Sequence, residues 1–187
     1  MNTRNQFTVA AFLIAVWAGA AYGTMNRISL VEFDEHAALS GWRIQNDVVM
    51  GGRSESRITQ TDAGTAIFSG TVSLENNGGF ASVRYSFPQL SIAGHTTAHL
   101  RLRGDGKRYI FQVEAENCAR HYYAAAFETT GEWETVFINL RDMEPMWRGN
   151  RLNRPNYSAE SMAQLRFMIA NDAQESFELE IESIWLE

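Results

Sequence analysis

This chain has very little cysteine. Cys118 is its only thiol, which excludes an intramolecular disulfide. Between Asn117 and Ala119 it has no resolving partner for redox work, so it reads as a buried or idle side chain. Blocks of positive charge are also missing. The 16 basic and 22 acidic residues leave a net charge of −6, which argues against a phosphate-tracking nucleic-acid surface. Metal-ligand spacing is absent too. His36, His95, His99 and His121 are scattered, and His95 and His99 straddle a loop-to-strand boundary instead of sharing a helical face. They read as structural or solvated histidines.

The glycine-rich and serine-rich stretches lack the parts that chemistry needs. The segment GDGKRY, Gly104 to Tyr109, has Tyr109 where a dinucleotide fingerprint needs its third glycine, and it joins strand to strand with no helix N-terminus for a pyrophosphate. Gly52-Arg53-Ser54-Glu55-Ser56 lacks the second glycine of a nucleophile elbow, so Ser54 reads as a turn or strand hydroxyl. No P-loop Lys-Ser/Thr follows any glycine pair. Asp47, Glu55, Glu75 and Asp105 read as surface or turn-capping carboxylates, with a glycosidase-like pair or a structural Ca²⁺ on loop oxygens as the alternatives. No catalytic residue, metal or cofactor is expected.

At the N-terminus, Arg4 precedes an apolar run from Phe7 to Ala18, and Ala18-Gly19-Ala20 supplies the small residues of a cleavage site. The run falls short of the roughly 20 apolar residues of a comfortable membrane span. Residues 1–23 are therefore expected to be a signal peptide or apolar segment of an exported protein, and 24–187 a single domain. A start at Met25 is the alternative and would leave the protein cytoplasmic.

What the chain does have is a core and the period of strands. Its 187 residues, 45% hydrophobic and 12% aromatic, suffice for one buried core. Ala98-Leu100-Leu102 alternates with His99-Arg101-Arg103, Gly104 to Lys107 turns the chain, and Tyr109-Phe111-Val113 alternates again, the pattern of a hairpin. Further strands are expected at Arg53–Thr59, Thr65–Leu74, Phe80–Phe87, His121–Glu128, Glu132–Leu140, Leu165–Ile169 and Phe177–Leu186. Ser158 is a plausible N-cap for one short helix through Gln164. Arg141 to Asn156 reads as a long surface loop. The class is all-β: an antiparallel β-sandwich or jelly roll with at most one short helix.

Two glycine pairs, Gly51-Gly52 and Gly78-Gly79, punctuate this pattern and mark turns that need positive φ or close backbone approach. They belong to a wider series: Trp42, Asn46-Asp47, Met50-Gly51-Gly52 and Ser54, then Phe68-Ser69-Gly70 and Asn77-Gly78-Gly79-Phe80-Ala81-Ser82. GDGKRY, GEWETVFINL (Gly131 to Leu140), MWRG (Met146 to Gly149) and FELEIESI (Phe177 to Ile184) follow in order. This series resembles the complex I intermediate-associated protein family, the assembly factor named for its thirty-kilodalton size, from about Phe33 to the C-terminus. The resemblance implies a galactose-binding-domain-like sandwich. It also implies a non-catalytic assembly or chaperone role through protein partners, membrane-complex subunits among them.

The residues left for function form a candidate binding surface. Asn46, Asp47, Asn76, Asn77, Arg84, Arg103 and Trp147 would make a rim of hydrogen-bonding groups around an aromatic plate, a combination that serves sugars and protein partners alike. Trp147 and Arg148 are the residue types of interface anchors. Trp42, Phe80 and Trp133 read as core instead. The expected function is a non-catalytic protein-binding or assembly module. The alternative is a carbohydrate-binding module of an exported protein.

Overall fold

A computed structural model describes residues 27–34, 39–116 and 119–187. The candidate signal segment, Met25, His36 and Cys118 lie outside these residues. The described chain runs through β1 (Ile28–Glu32), β2 (Trp42–Ile44), β3 (Glu55–Gln60), β4 (Ala66–Val72), β5 (Ala81–Ser91), β6 (Thr97–Arg103) and β7 (Arg108–Glu114). It continues through β8 (Tyr122–Glu128), β9 (Glu134–Asn139), β10 (Glu144–Trp147), β11 (Asn150–Arg151), β12 (Ser161–Ile169) and β13 (Glu175–Leu186). Among the described residues helical structure is limited to short 3-10 turns, and no helix is long and apolar enough to cross a membrane.

All pairing is antiparallel, in two sheets. The six-stranded sheet has the order β3-β4-β13-β6-β9, with β1 beside the far half of β13; the seven-stranded sheet has the order β11-β10-β8-β7-β12-β5-β2. The expected all-β sandwich is what the chain forms. Alternation decides which side chains lie between the sheets. β7 turns Tyr109, Phe111 and Val113 inward, β12 turns Leu165, Phe167 and Ile169 inward, and β6 turns Ala98, Leu100 and Leu102 inward. Phe111 meets Phe167 at 5.5 Å and Phe68 meets Phe177 at 4.8 Å between ring centroids. Each such side chain removed from water stabilises the fold by roughly 1.5–3 kcal/mol.

β13 holds the six-stranded sheet together. Its first half pairs with β4 and its second half with β1, while β6 lies along its other side. A bulge between Ile181 and Ser183 shifts the register, so that Phe177, Leu179 and Ile181 before it and Ile184 and Leu186 after it all stay buried.

Four sequence expectations change. Residues 98–113 are not a hairpin: β6 belongs to the six-stranded sheet and β7 to the other, so Gly104 to Lys107 carries the chain across the sandwich. Local pattern cannot separate these cases, because a crossover uses the same turn residues. The crossover is held from the far side. Asp105 accepts from the Tyr109 hydroxyl at 2.9 Å, the Glu178 amide at 3.1 Å and the Lys107 ammonium at 2.6 Å, and the Tyr109 hydroxyl also lies 3.1 Å from the Glu178 carbonyl. The expected loop from Arg141 to Asn156 contains a hairpin, β10–β11, whose tip Arg148-Gly149 has φ of 47° and 79°. Two positive φ values at a two-residue tip match the twist of the flanking strands. The expected helix at Ser158–Gln164 is instead the entry to β12. Ala159 has φ 57°, which no helix continues through, and Ser161 already pairs with Ser91. Of the three aromatics assigned to the core, Trp42 is buried between Phe33 and Tyr85, whereas Phe80 and Trp133 are only half-buried.

The crossover generates a stability prediction. Tyr109→Phe should lower the urea midpoint by the equivalent of about 1–2 kcal/mol, and Asp105→Ala by at least as much, since it leaves the Glu178 amide and the Tyr109 hydroxyl short of a partner. A midpoint unchanged in both variants would mean that the crossover is held elsewhere.

Candidate functional site

Asn46 and Asp47 stand where β2 ends and the 3-10 turn Asp47–Met50 begins. Neither reaches solvent as a rim would: Asp47 is completely buried and Asn46 nearly so. The Asp47 carboxylate accepts from the Ser54 amide at 2.9 Å and hydroxyl at 2.5 Å, and from the Gly79 and Phe80 amides at 2.7 and 3.2 Å. Asn46 accepts from the Ser56 hydroxyl at 2.8 Å and the Ser82 amide at 3.3 Å, and its amide donates to the Ser54 carbonyl at 3.3 Å. Burial by itself would raise the Asp47 pKa, but the hydrogen bonds from the Ser54 hydroxyl and from the Gly79, Ser54 and Phe80 amides together hold it below the ordinary carboxylate value.

The glycine pairs explain themselves at this carboxylate. A Cβ on Gly52 would overlap the Asp47 carboxyl group, and one on Gly78 would lie 2.7 Å from its Oδ2. Their neighbours Gly51 and Gly79 have φ of 95° and 140°. Both expected features, close approach and positive φ, are present. Asn46 and Asp47 thus tie together two turns at one end of the sandwich. Asn76 and Asn77 sit on the second of those turns, exposed, with φ of 55° and 58°, and Arg53–Glu75 bridges the two turns at 2.8 Å.

The outward face of the seven-stranded sheet is of a different kind. On β7 and β12 the residues opposite the core side are Gln112 and Glu114, and Gln164 and Arg166. Gln164 stands against Glu114 and Arg166 against Gln112 across the two strands. These side chains cover one another so closely that Gln112 is only 3% exposed and Gln164 only 7%, although neither faces the core. Gln164 donates to Glu114 at 2.6 Å and accepts from the Ser86 hydroxyl at 3.0 Å. Arg166 donates to Gln45 at 3.3 Å and lies 3.9 Å from the Glu114 carboxylate. Burial raises the Glu114 pKa in spite of Arg166, Gln164 and Arg84, and burial lowers that of Arg166 in spite of Glu114. Gln112 Oε1 and Arg166 Nε, both buried, make no hydrogen bond among the described residues. Buried polar atoms are seldom left that way, and such exceptions concentrate where a protein does something besides fold.

Arg84 belongs to this face. It lies on β5 between Val83 and Tyr85, which point to the core, and directly beside Arg166. Trp147 and Arg148 belong to the edge of the sheet, on the β10–β11 hairpin; the outward face continues from Gln112 through Ala124 to Glu144, and Trp147 alternates with Pro145 onto the other side. The Arg148 guanidinium sits 5.3 Å from the Trp147 ring centroid, Trp147 is 46% exposed, and the Gly149 amide donates to the Tyr122 hydroxyl at 3.3 Å. Arg103 lies on the opposite sheet, paired with Glu180 at 2.5 Å and 5.5 Å from the Trp133 ring. Among the described residues no group of three or more His, Cys, Asp or Glu could hold a metal ion.

Residues 31–181 match the Complex I intermediate-associated protein 30 family. The chain belongs to that family. No curated protein matches it significantly. Among solved structures, the family 11 carbohydrate-binding module from Clostridium thermocellum, in complex with a β-1,3-1,4-mixed-linked tetrasaccharide, is similar with a TM-score of 0.62 at 14% identity, over 86% of this chain and 94% of that one. An exo-β-agarase is similar with a TM-score of 0.56 at 10% identity, over 85% of this chain and 25% of that one. At such identities the likeness shows the fold, and the Complex I intermediate-associated domain is accordingly a galactose-binding-like β-sandwich.

The eight candidate residues read from the sequence therefore do not form one rim. Arg84, Trp147 and Arg148 belong to the seven-stranded sheet, Arg103 to the other, Asn76 and Asn77 to one end, and Asn46 and Asp47 to the interior of the family domain. Gln112, Glu114, Gln164 and Arg166 went unread. Their signal in the sequence was the alternation itself: each holds an off-core position of a strand, and polar-out alternation does not separate a functional face from a solvated one.

The buried carboxylate generates a test. Asp47→Asn puts an amide donor or a neutral oxygen against the Ser54, Gly79 and Phe80 donors, so stability at pH 7 should fall by about 3 kcal/mol or more. Because the folded pKa is lowered, the wild-type stabilisation is complete above about pH 5 and is lost as pH falls through the folded value. Thermal midpoints measured from about pH 6 to about pH 2.5 should converge for the two proteins at the acid end. A constant gap would assign the loss to shape instead of charge.

Proposed function

We propose that this domain is a non-catalytic binding module of the assembly-factor type, holding a protein partner against the outward face of the seven-stranded sheet and the hairpin at its edge. One observation carries the reading: Trp147 is displayed at a tight hairpin tip with the Arg148 guanidinium over its ring, beside a sheet face that keeps polar groups half out of water. Trp and Arg are the residues that anchor protein interfaces, and partly desolvated polar groups at the centre of a patch are where such contacts gain most. The family to which the chain belongs, named for a complex I intermediate, supports a partner of that kind.

A second reading has its own observation. Gln112, Glu114, Gln164 and Arg166 form a lattice of donors and acceptors on that face, which is chemistry suited to sugar hydroxyls, and a carbohydrate-binding module shares the fold.

The double change Trp147→Ala with Arg148→Ala should leave the thermal midpoint within a few degrees of wild type and weaken crosslinked capture of the native partner by more than about tenfold, equivalent to 1.4 kcal/mol. A glycan array on the same proteins addresses the second reading: sugar-specific retention by the wild type with no protein captured would replace the first. A large loss of stability in the variant would mean that Trp147 closes the sandwich edge.

A further inference from the structure

The register of the seven-stranded sheet lines up three arginines. Arg43 on β2 stands opposite Arg84 on β5, and Arg84 stands opposite Arg166 on β12. Paired residues of an antiparallel ladder share a face, and strands lie about 4.8 Å apart, so three guanidinium groups are rooted within about 10 Å of one another. Like charges directly opposite destabilise a sheet. Little in the structure offsets them. Glu114 faces Arg166 at 3.9 Å and is itself partly desolvated, Arg166 leans on Gln45, and Arg43 donates to the backbone carbonyls of Ser40 and Trp42. Arg84, in the middle, forms no hydrogen bond or ion pair among the described residues; Glu114 and Arg166 act on it through their fields alone. The conflict falls in a chain of net charge −6, so the positive row is a local exception to the protein's overall field.

We propose that Arg84, flanked by Arg43 and Arg166, is the seat of a carboxylate from an acidic stretch of the protein partner. The inference rests on the reading that this partner lies on the outward face. An arginine fork takes a carboxylate in two parallel hydrogen bonds, and the neighbouring guanidinium groups strengthen the field without competing for the same oxygens. Strand order supplies the reason for a protein as occupant. Between Trp147 on β10 and Arg43 on β2 lie β8, β7, β12 and β5, a span of about 24 Å. That is the length of an extended segment of about seven residues, so one partner segment lying across Gln112 and Gln164 reaches from the edge hairpin, whose Trp147 alternates with Pro145 toward the other side of the sheet, to the arginine row. Charge sets its composition. The rest of this acidic protein repels an acidic partner, so attraction confined to one face fixes where and in which orientation it docks.

A fluorescein-labelled octaglutamate peptide, titrated by polarisation into the purified chain at low salt, provides the test, with octaglutamine as the neutral control. Octaglutamate should bind saturably, lose at least about tenfold in affinity in Arg84→Ala, recover part of it in Arg84→Lys, and weaken as salt rises; octaglutamine should not bind. Circular dichroism of each variant confirms that the sheet is intact, and Arg84→Lys keeps the test valid should the alanine variant fold poorly. Absence of octaglutamate binding, or equal binding by wild type and Arg84→Ala, overturns the proposal. So does Arg84-dependent binding of tetragalacturonate without binding of the peptide, which would give the carboxylate seat to an acidic glycan. Loss of native-partner capture by the Trp147→Ala, Arg148→Ala protein, together with failure of octaglutamate to bind, leaves the partner reading standing and removes only the acidic segment.

Discussion

The carboxylate of Asp47 is the constraint on which one end of this molecule depends. Four donors converge on it from two turns that lie far apart in the chain, and two glycines exist in the form they do because no Cβ fits beside it. A charged acceptor at the centre of four hydrogen bonds can satisfy groups that a neutral one could not, and removing it leaves several backbone amides buried without partners. The strands that follow those turns, β3 and β5, enter different sheets. The knot therefore fixes how the two sheets begin relative to each other. It also leaves Val48, Val49 and Met50 exposed on the first turn, since the turn is held by its polar residue and not by its apolar ones.

The two sheets have divided their labour. In the six-stranded sheet, outward charges are answered: Arg103 by Glu180, Arg101 by Glu182, with Trp133 beneath both arginines. In the seven-stranded sheet they are answered only in part, Arg166 by Glu114 at 3.9 Å and Arg151 by Glu144 at 3.3 Å. Among the described residues Arg84 makes no hydrogen bond or ion pair, Arg166 and Gln112 each keep an atom unbonded, and Glu114 is held against its ordinary titration by burial. A binding surface has to hold back some of its interactions from the folded state, and on the reading proposed above that reserve is the outward face of the seven-stranded sheet.

Much of the fold could be read from the chain alone because strand alternation is local. The inward series of β6, β7 and β13 and the two glycine turns were legible from residues within a few positions of one another. What could not be read was anything decided by residues distant in sequence. Gly104 to Lys107 has the composition of a hairpin turn whether or not the next strand stays in the same sheet, and the matter is decided by the distant strands that β6 and β7 pair with, β13 and β12. Asn46-Asp47 before a glycine pair looks like an exposed turn, yet the donors that draw it inside are the amides of Gly79, Phe80 and Ser82. Arg84 stood out because it is charged; Arg166 was concealed by its apolar neighbours Leu165 and Phe167. The positive row needs three strands in register before it exists at all.

β13 lies in the middle of its sheet, between β4 and β1 on one side and β6 on the other, and it is also the final strand of the domain. During synthesis the strands β1, β4 and β6 must wait for the segment that will join them, and until it leaves the ribosome their apolar faces and open edges have no permanent cover. β12, central to the other sheet between β7 and β5, is made only shortly before. Folding of the domain consequently waits for β13 to be made. A nascent chain stalled before the end of β12 would present two unfinished sheets to whatever chaperones or neighbours it met.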